Sequence, residues 1–256
     1  MGLFDKKYCD VCGEKIGLLG NRKLEDGNLC KDCARKLSPW FSERRNSSVN
    51  EIKRQLEYRE ENRGRVEAFH ITRTLGSGTK LLLDEDAGLF MVTSAKNIAE
   101  ANPDVLALSD VTGCTLDVEE SSKELLHEDK DGNEVSYNPP RYEYSYDFYI
   151  IVNVNNPYFN EMRFRINPNS VEISPPPSIR PGVTLRFNPE TNAEYKKYKQ
   201  LGEEIRQILV KVRDDAREKI EQAAAPKTAV SCPYCGATTT PDASGCCEYC
   251  GGALMG

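Results

Sequence analysis

Eight of the ten cysteines fall into four Cys-x-x-Cys pairs: Cys9/Cys12 and Cys30/Cys33 near one end of the chain, Cys232/Cys235 and Cys247/Cys250 near the other. Two residues between thiols let a tight turn aim both sulfurs at one ion, and two such turns complete a tetrahedron. Each end is therefore expected to close over one zinc ion, two Zn2+ per chain. Gly13, Gly236 and Gly251 each follow the second cysteine of a pair, where such a turn needs positive φ. Four cysteines fill every position around the metal and leave none for water, so the sites read as structural rather than catalytic. A stretch as short as 232–250 cannot bury enough apolar surface to fold alone. Metal supplies the deficit, about 10–16 kcal/mol apparent in small zinc modules.

Other uses of cysteine fit less well. A thioredoxin-like pair needs a βαβ setting that neither end shows, iron–sulfur ligation uses other spacings, and disulfides belong to oxidising compartments. Met1–Lys6 lacks the apolar core of a secretory signal, and Lys6 stands where a myristoylation motif wants Ser or Thr. No stretch approaches the roughly 20 apolar residues of a membrane span. The expected location is the cytoplasm. Of the two remaining cysteines, Cys246 adjoins Cys247 but breaks the two-residue spacing to Cys250, so Cys247 is the expected ligand. Cys114 lies in the alternating run 111–118 and reads as a buried strand thiol.

A chain of 256 residues is long enough for two or three units. Its charge is uneven: +4 over residues 1–65, −9 over 66–189 and −1 over 190–256. Two thiolate tetrads would subtract about 2 more charges at each end, which leaves no strongly basic surface of the kind that nucleic acid demands.

The domain reading follows from composition and periodicity. Residues 1–46 form an N-terminal four-cysteine zinc module, in which Trp40-Phe41 is placed to anchor it on its neighbour. Residues 47–65 form a charged connecting helix capped at Ser48 or Asn50 and ending near Gly64, with Ile52, Leu56, Arg59 and Arg63 on one face. It reads as solvated, or in a sharper reading as partner-binding. Residues 66–222 alternate β-branched, aromatic and turn residues, as in an antiparallel β domain of about seven strands, with one short helix over 94–101. Asp129-Lys-Asp-Gly-Asn133 lacks the sixth-place glycine and twelfth-place acid of a calcium loop and reads as a hairpin turn; Gly76-Ser-Gly78 likewise reads as a turn. A stiff proline-rich loop over 174–182 precedes a helix over 190–222, opened by Asn188-Pro189-Glu190, whose apolar face runs from Tyr195 to Ile220. A linker over 223–230 tethers a mobile zinc ribbon, 231–256.

Seven strands followed by one amphipathic helix resemble the pleckstrin-homology-like (PH-like) architecture. The whole is expected to be α+β and multidomain: a treble-clef or zinc-knuckle-like module, a central antiparallel PH-like β barrel with its C-terminal helix, and a C-terminal zinc ribbon. Tyr8-Cys-Asp-Val-Cys-Gly13, Cys30-Lys-Asp-Cys-Ala-Arg-Lys-Leu-Ser38, Ile52-Lys-Arg-Gln-Leu56 and Tyr58-Arg59 resemble an uncharacterised bacterial family, found mainly in Firmicutes and defined only as a domain of unknown function with a zinc module. That resemblance implies zinc ligation at Cys9, Cys12, Cys30 and Cys33. It covers the first quarter of the chain well and the β region loosely. The tail, from Cys232-Pro-Tyr-Cys-Gly236 to Cys247-Glu-Tyr-Cys-Gly251, resembles the generic zinc-ribbon class. Neither resemblance brings an activity. PH-like folds often bind peptides or lipid head groups, but fold does not fix function, and the central charge disfavours an anionic ligand there.

The chain has two histidines, His70 and His127, no nucleophile elbow and no recognisable triad. No catalytic residue is expected. The leading expectation is a non-enzymatic, zinc-binding adaptor that presents surfaces to protein partners, with peripheral contact at the cytoplasmic membrane face. The alternative is a nucleic-acid-associated zinc-ribbon protein that uses Arg44, Arg45, Lys53, Arg54, Arg59, Arg63 and Arg65.

Overall fold

The computed structural model describes residues 7–175, 188–224, 229–242 and 245–254. It is a mixed α and β structure in which every strand pairing is antiparallel. The chain divides into two compact units, Met1–Asp214 and Asp215–Gly256.

The first unit opens with two short hairpins, β1 (Lys7–Tyr8) with β2 (Lys15–Ile16) and β3 (Arg22–Lys23) with β4 (Asn28–Leu29), then helix α1 (Lys31–Arg35). Strands of two residues cannot hold a core of their own. The core here is Ile16, Leu24, Leu29 and Leu37 gathered around Cys9, Cys30 and Cys33, and it is completed by Ile52 and Leu56 from the next helix.

That helix, α2 (Val49–Ala68), starts in a reciprocal capping box: the Ser48 hydroxyl accepts the Glu51 N–H, and the Glu51 carboxylate accepts the Ser48 N–H. It runs through Gly64 instead of ending there. An interior glycine costs about 1 kcal/mol, but Val66 beyond it is buried with Leu82, Met91 and Val105, and that contact exists only if the helix continues. The expectation of a solvated connecting helix is also corrected. Ile52, Gln55, Arg59, Asn62 and Val66 form a buried stripe. Two of its polar members, Arg59 and Asn62, are satisfied by distant groups, whereas the buried Gln55 amide has no hydrogen-bond partner among the described residues. Arg59 forms an ion pair with Asp104 and donates to the carbonyls of Lys36 and Asn102. Ser38 donates to Asp104 at 2.8 Å. Asn62 donates to Asn102 and Pro103 and accepts the Val105 N–H. Burial pushes the Asp104 carboxyl up, opposed by the Arg59 guanidinium and the Ser38 hydroxyl. Phe41 meets Tyr158 edge-on, Tyr58 packs on the same ring, and Trp40 is half-buried.

Eight strands follow, in two open sheets rather than one closed barrel. The first has the order β5 (Arg73–Leu75), β6 (Lys80–Asp84), β7 (Leu89–Thr93), β8 (Leu106–Ala107). Turns with positive-φ Gly76 and Gly88 join its first three strands. Residues 69–72 form an irregular lead-in to β5. Helix α3 (Ile98–Ala101) is shorter than the 94–101 expected, because its cap is Asn97. Leu81, Leu82, Leu83, Phe90 and Met91 are all buried, so both faces of β6 and β7 are covered.

The second sheet is built on a long hairpin, β9 (Val111–Glu128) and β10 (Glu134–Val154). The other edge of β10 is shared by β11 (Glu161–Arg165), at Tyr149–Asn153, and β12 (Val171–Ile173), at Tyr144–Tyr146. The β9–β10 turn is held by Asp129, whose carboxylate accepts the Asp131 and Asn133 N–H groups; it is a hairpin turn, as its missing ligands imply. Asn188-Pro189-Glu190 opens a single 3-10 turn, and α4 (Ala193–Ala224) starts after it with Asn192 as cap. Tyr195 packs edge-on against Tyr146 and Phe148, and Tyr198, Ile205 and Leu209 continue the buried face. Gly202 admits the helix close to β9, since a Cβ there would lie 2.5 Å from Leu116 Cδ1. Most of the proline-rich loop and residues 225–228 of the linker lie outside the described residues.

The second unit carries β13 (Val230–Ser231) paired with β14 (Thr238–Thr239), and an isolated bridge between Cys246 and Ala253.

Candidate metal centres

Tyr8 opposite Lys15 closes the β1–β2 hairpin around the first pair of thiols. Within it the Gly13 N–H donates to the Cys9 carbonyl at 2.8 Å, and Gly13 has φ +76°, the left-handed backbone that glycine alone adopts without penalty. The second pair is built differently. The β3–β4 hairpin delivers Cys30 as the N-cap of α1, and its sulfur accepts the Cys33 N–H at 3.3 Å. The Cys30 N–H in turn donates to Cys9 Sγ at 3.3 Å. One knuckle and one helical first turn thus aim four sulfurs at a point.

In the second unit both pairs are knuckles. Gly236 N–H donates to Cys232 carbonyl and Gly251 N–H to Cys247 carbonyl, each at 2.8 Å, with φ of +73° and +72°. The Cys247 N–H is tied to Gly252 carbonyl and the Cys232 N–H to Ala237 carbonyl, so the two turns are fixed by their own ladders.

The spacing of the sulfurs is that of a metal site. The four ligand atoms of Cys9, Cys12, Cys30 and Cys33 lie within 4.8 Å of one another, as do those of Cys232, Cys235, Cys247 and Cys250. Cys12 and Cys30 are 3.7 Å apart, Cys232 and Cys250 3.6 Å, Cys235 and Cys247 3.7 Å. A tetrahedron with metal–sulfur bonds of about 2.3 Å has edges of about 3.8 Å, whereas a disulfide would close to about 2.05 Å. All these cysteines are unbridged.

Electrostatics point the same way. Burial raises the Cys9 thiol, but the N–H groups of Cys12, Cys30 and Val11 outweigh it and bring the pKa down to about 7. Burial likewise raises Cys232, and the Cys235 and Tyr234 N–H groups bring it to about 7. Cys33 is pushed well up, first by burial and then by its neighbouring thiols. Each cluster therefore favours one thiolate and resists accumulating four. A divalent cation removes that resistance, so the donor set fits a soft-tolerant, tetrahedral ion. Each tetrad can hold one metal.

The structure thus brings the eight paired cysteines together and leaves Cys246 and Cys114 outside both groups. Cys246 is engaged through its backbone with Asp242. Cys114 is buried on β9 opposite Val152, and burial pushes its thiol up to about 11, the condition of an unreactive cysteine. A third grouping, His70, Asp84 and Asp86, is turn architecture: the two Asp84 oxygens accept the N–H groups of His70 and Ala87, and His70 and Asp86 are exposed.

Comparison with known proteins places one part of this on record. Residues 7–55 match a family model described as a domain of unknown function (DUF4428); this span contains the first tetrad and the first turns of α2. No curated protein and no solved structure matches the chain. No helix of the described residues is long and apolar enough to cross a membrane.

Proposed function

We propose that the protein is a non-enzymatic adaptor in which two structural zinc ions, one on Cys9, Cys12, Cys30 and Cys33 and one on Cys232, Cys235, Cys247 and Cys250, stabilise surfaces offered to protein partners. The observation that carries this reading is that each tetrad is all cysteine, with sulfurs at tetrahedral spacing: a filled thiolate shell offers no open position for substrate or water. The first site is treble-clef-like, the second a zinc ribbon. Strands β5 to β12 followed by α4 across the second sheet support a PH-like reading of the middle. The cytoplasm suits unbridged thiols.

The alternative, nucleic-acid binding through the 44–65 segment, draws on fewer cations than its sequence offers. Arg59 is buried against Asp104 and Arg63 pairs with Glu60, which leaves Arg44, Arg45, Lys53, Arg54 and Arg65.

Elemental analysis of the purified chain tests the metal, with close to two zinc per chain expected and none overturning it. The adaptor reading expects a partner that co-purifies at high salt and is lost on Cys232→Ser. A salt-dependent shift on nucleic acid, abolished by neutralising Arg44, Arg45, Lys53 and Arg54, would replace it with the alternative.

A further inference from the structure

Leu18 and Leu19 are 91% and 89% exposed, more than any other large apolar side chain among the described residues. They hold the two corners of a tight turn between β2 and β3, closed by the Gly20 N–H donating to Gly17 carbonyl at 3.0 Å. Turn corners ordinarily carry Gly, Pro, Asn, Asp or Ser, and two adjacent leucines there cost hydration without contributing to any core. The module's core is already made by Ile16, Leu24, Leu29 and Leu37. The turn is also fixed at its base. Ile16 is buried before it, Asn21 donates to Asn28 at 2.8 Å after it, and the Arg22 guanidinium donates to the Leu19 carbonyl at 3.4 Å. The leucines are therefore presented by a rigid base.

That base is cationic. Lys15, Arg22 and Lys23 stand on the two strands that carry the turn. Arg44 joins them by donating to the Lys23 carbonyl at 2.9 Å, and Arg45 follows it. None of these five makes an ion pair within 4 Å among the described residues. The Arg44 pKa is lowered, first by its partial burial and then by the charges of Arg22 and Arg45.

A two-residue apolar tip is too small for a stable protein interface, which takes about 800 Å² per partner. A bilayer has no such requirement: it accepts any apolar protrusion, and anionic head groups neutralise a basic collar. We propose that the Gly17–Gly20 turn is a membrane-insertion tip, with Leu18 and Leu19 entering the interface of an anionic phospholipid bilayer and Lys15, Arg22, Lys23, Arg44 and Arg45 meeting its head groups. The proposal rests on the reading above in one respect: the turn is an excursion between the two halves of the first tetrad, so metal at that site holds its base.

Flotation of the full zinc-loaded chain with phosphatidylcholine vesicles, with and without phosphatidylglycerol, tests it. Binding is expected only with the anionic lipid and should weaken as salt is raised. Leu18→Ser/Leu19→Ser should lower the partition coefficient about tenfold or more, and Arg22→Glu/Lys23→Glu should do the same. Leu19→Trp should add emission that shifts to the blue on anionic vesicles. A parent chain that stays unbound, a double leucine variant within about twofold of the parent, or a Leu19→Trp signal that does not shift overturns the tip. So does a double variant that keeps vesicle binding and loses a protein partner instead. Zinc measured on the same samples separates the two readings: normal zinc with no vesicle binding sinks the tip alone, and vesicle binding by a chain without zinc sinks the metal reading alone.

Discussion

Arg59 Nη1 lies 2.8 Å from Asp104 Oδ1, with side-chain exposures of 8% and 0%. The pair joins the buried face of α2 to the segment between α3 and β8, and it ties the four-cysteine module to the first sheet. Removing a charge from water is costly, and the cost is offset here by near-complete hydrogen bonding: Arg59 reaches two carbonyls besides Asp104, and Asp104 also accepts from Ser38.

Breaking that pair from one side strands a buried charge. Arg59→Leu should lower unfolding stability by about 3–5 kcal/mol, and the double change Arg59→Leu/Asp104→Leu should recover part of it. Urea denaturation of the three chains checks this. A single variant as stable as the parent would show that the pair is not sealed from water.

Metal content should follow the tetrads residue by residue. Cys247→Ser is expected to leave about one zinc per chain and Cys246→Ser about two, because only Cys247 faces Cys235 across 3.7 Å. Cys30→Ala removes both a sulfur ligand and the side-chain cap of α1, so it should abolish the first zinc and destabilise the module core. Inductively coupled plasma analysis with thermal melts reads both effects.

The capping box at α2 gives a pH-dependent contribution. The Ser48 N–H and hydroxyl hold the Glu51 carboxyl below its ordinary pKa. Stability from this group is therefore present above the unfolded carboxyl's pKa and lost as pH falls through the depressed folded value. The melting-temperature gap between the parent and Glu51→Gln should be open at neutral pH and close on acidification. A gap independent of pH would mean that the charge of Glu51 is irrelevant to the cap.

Two helical glycines should respond in opposite ways. A Cβ at Gly64 meets nothing within 4 Å, so Gly64→Ala should stabilise α2 by up to about 1 kcal/mol. At Gly202 the larger Gly202→Val would press on Leu116 and the strand beneath it, costing about 1–3 kcal/mol. Paired denaturation curves decide both.

What the sequence by itself determined is what depends on short-range geometry. Two-residue spacings placed the eight cysteines, the glycine after a knuckle announced its positive φ, the apolar steps from Tyr195 onward marked the face of α4, and Ser48 or Asn50 marked the start of α2, a choice that the structure resolves to Ser48. Glu161–Arg165 also alternates exposed or half-buried with buried residues, the period-2 pattern of a strand. What only the tertiary structure decided is what depends on distant partners. Arg59 and Asn62 read as solvated because their compensating groups lie some 40 to 45 residues away, and a buried charge is tolerable only once that partner is in place. Two open sheets rather than one barrel arise because, among the described residues, no strand of β5 to β8 pairs with any of β9 to β12, a choice of partners that no local pattern encodes. The exposure of Leu18 and Leu19 is likewise decided by the fold, whose core closes without them.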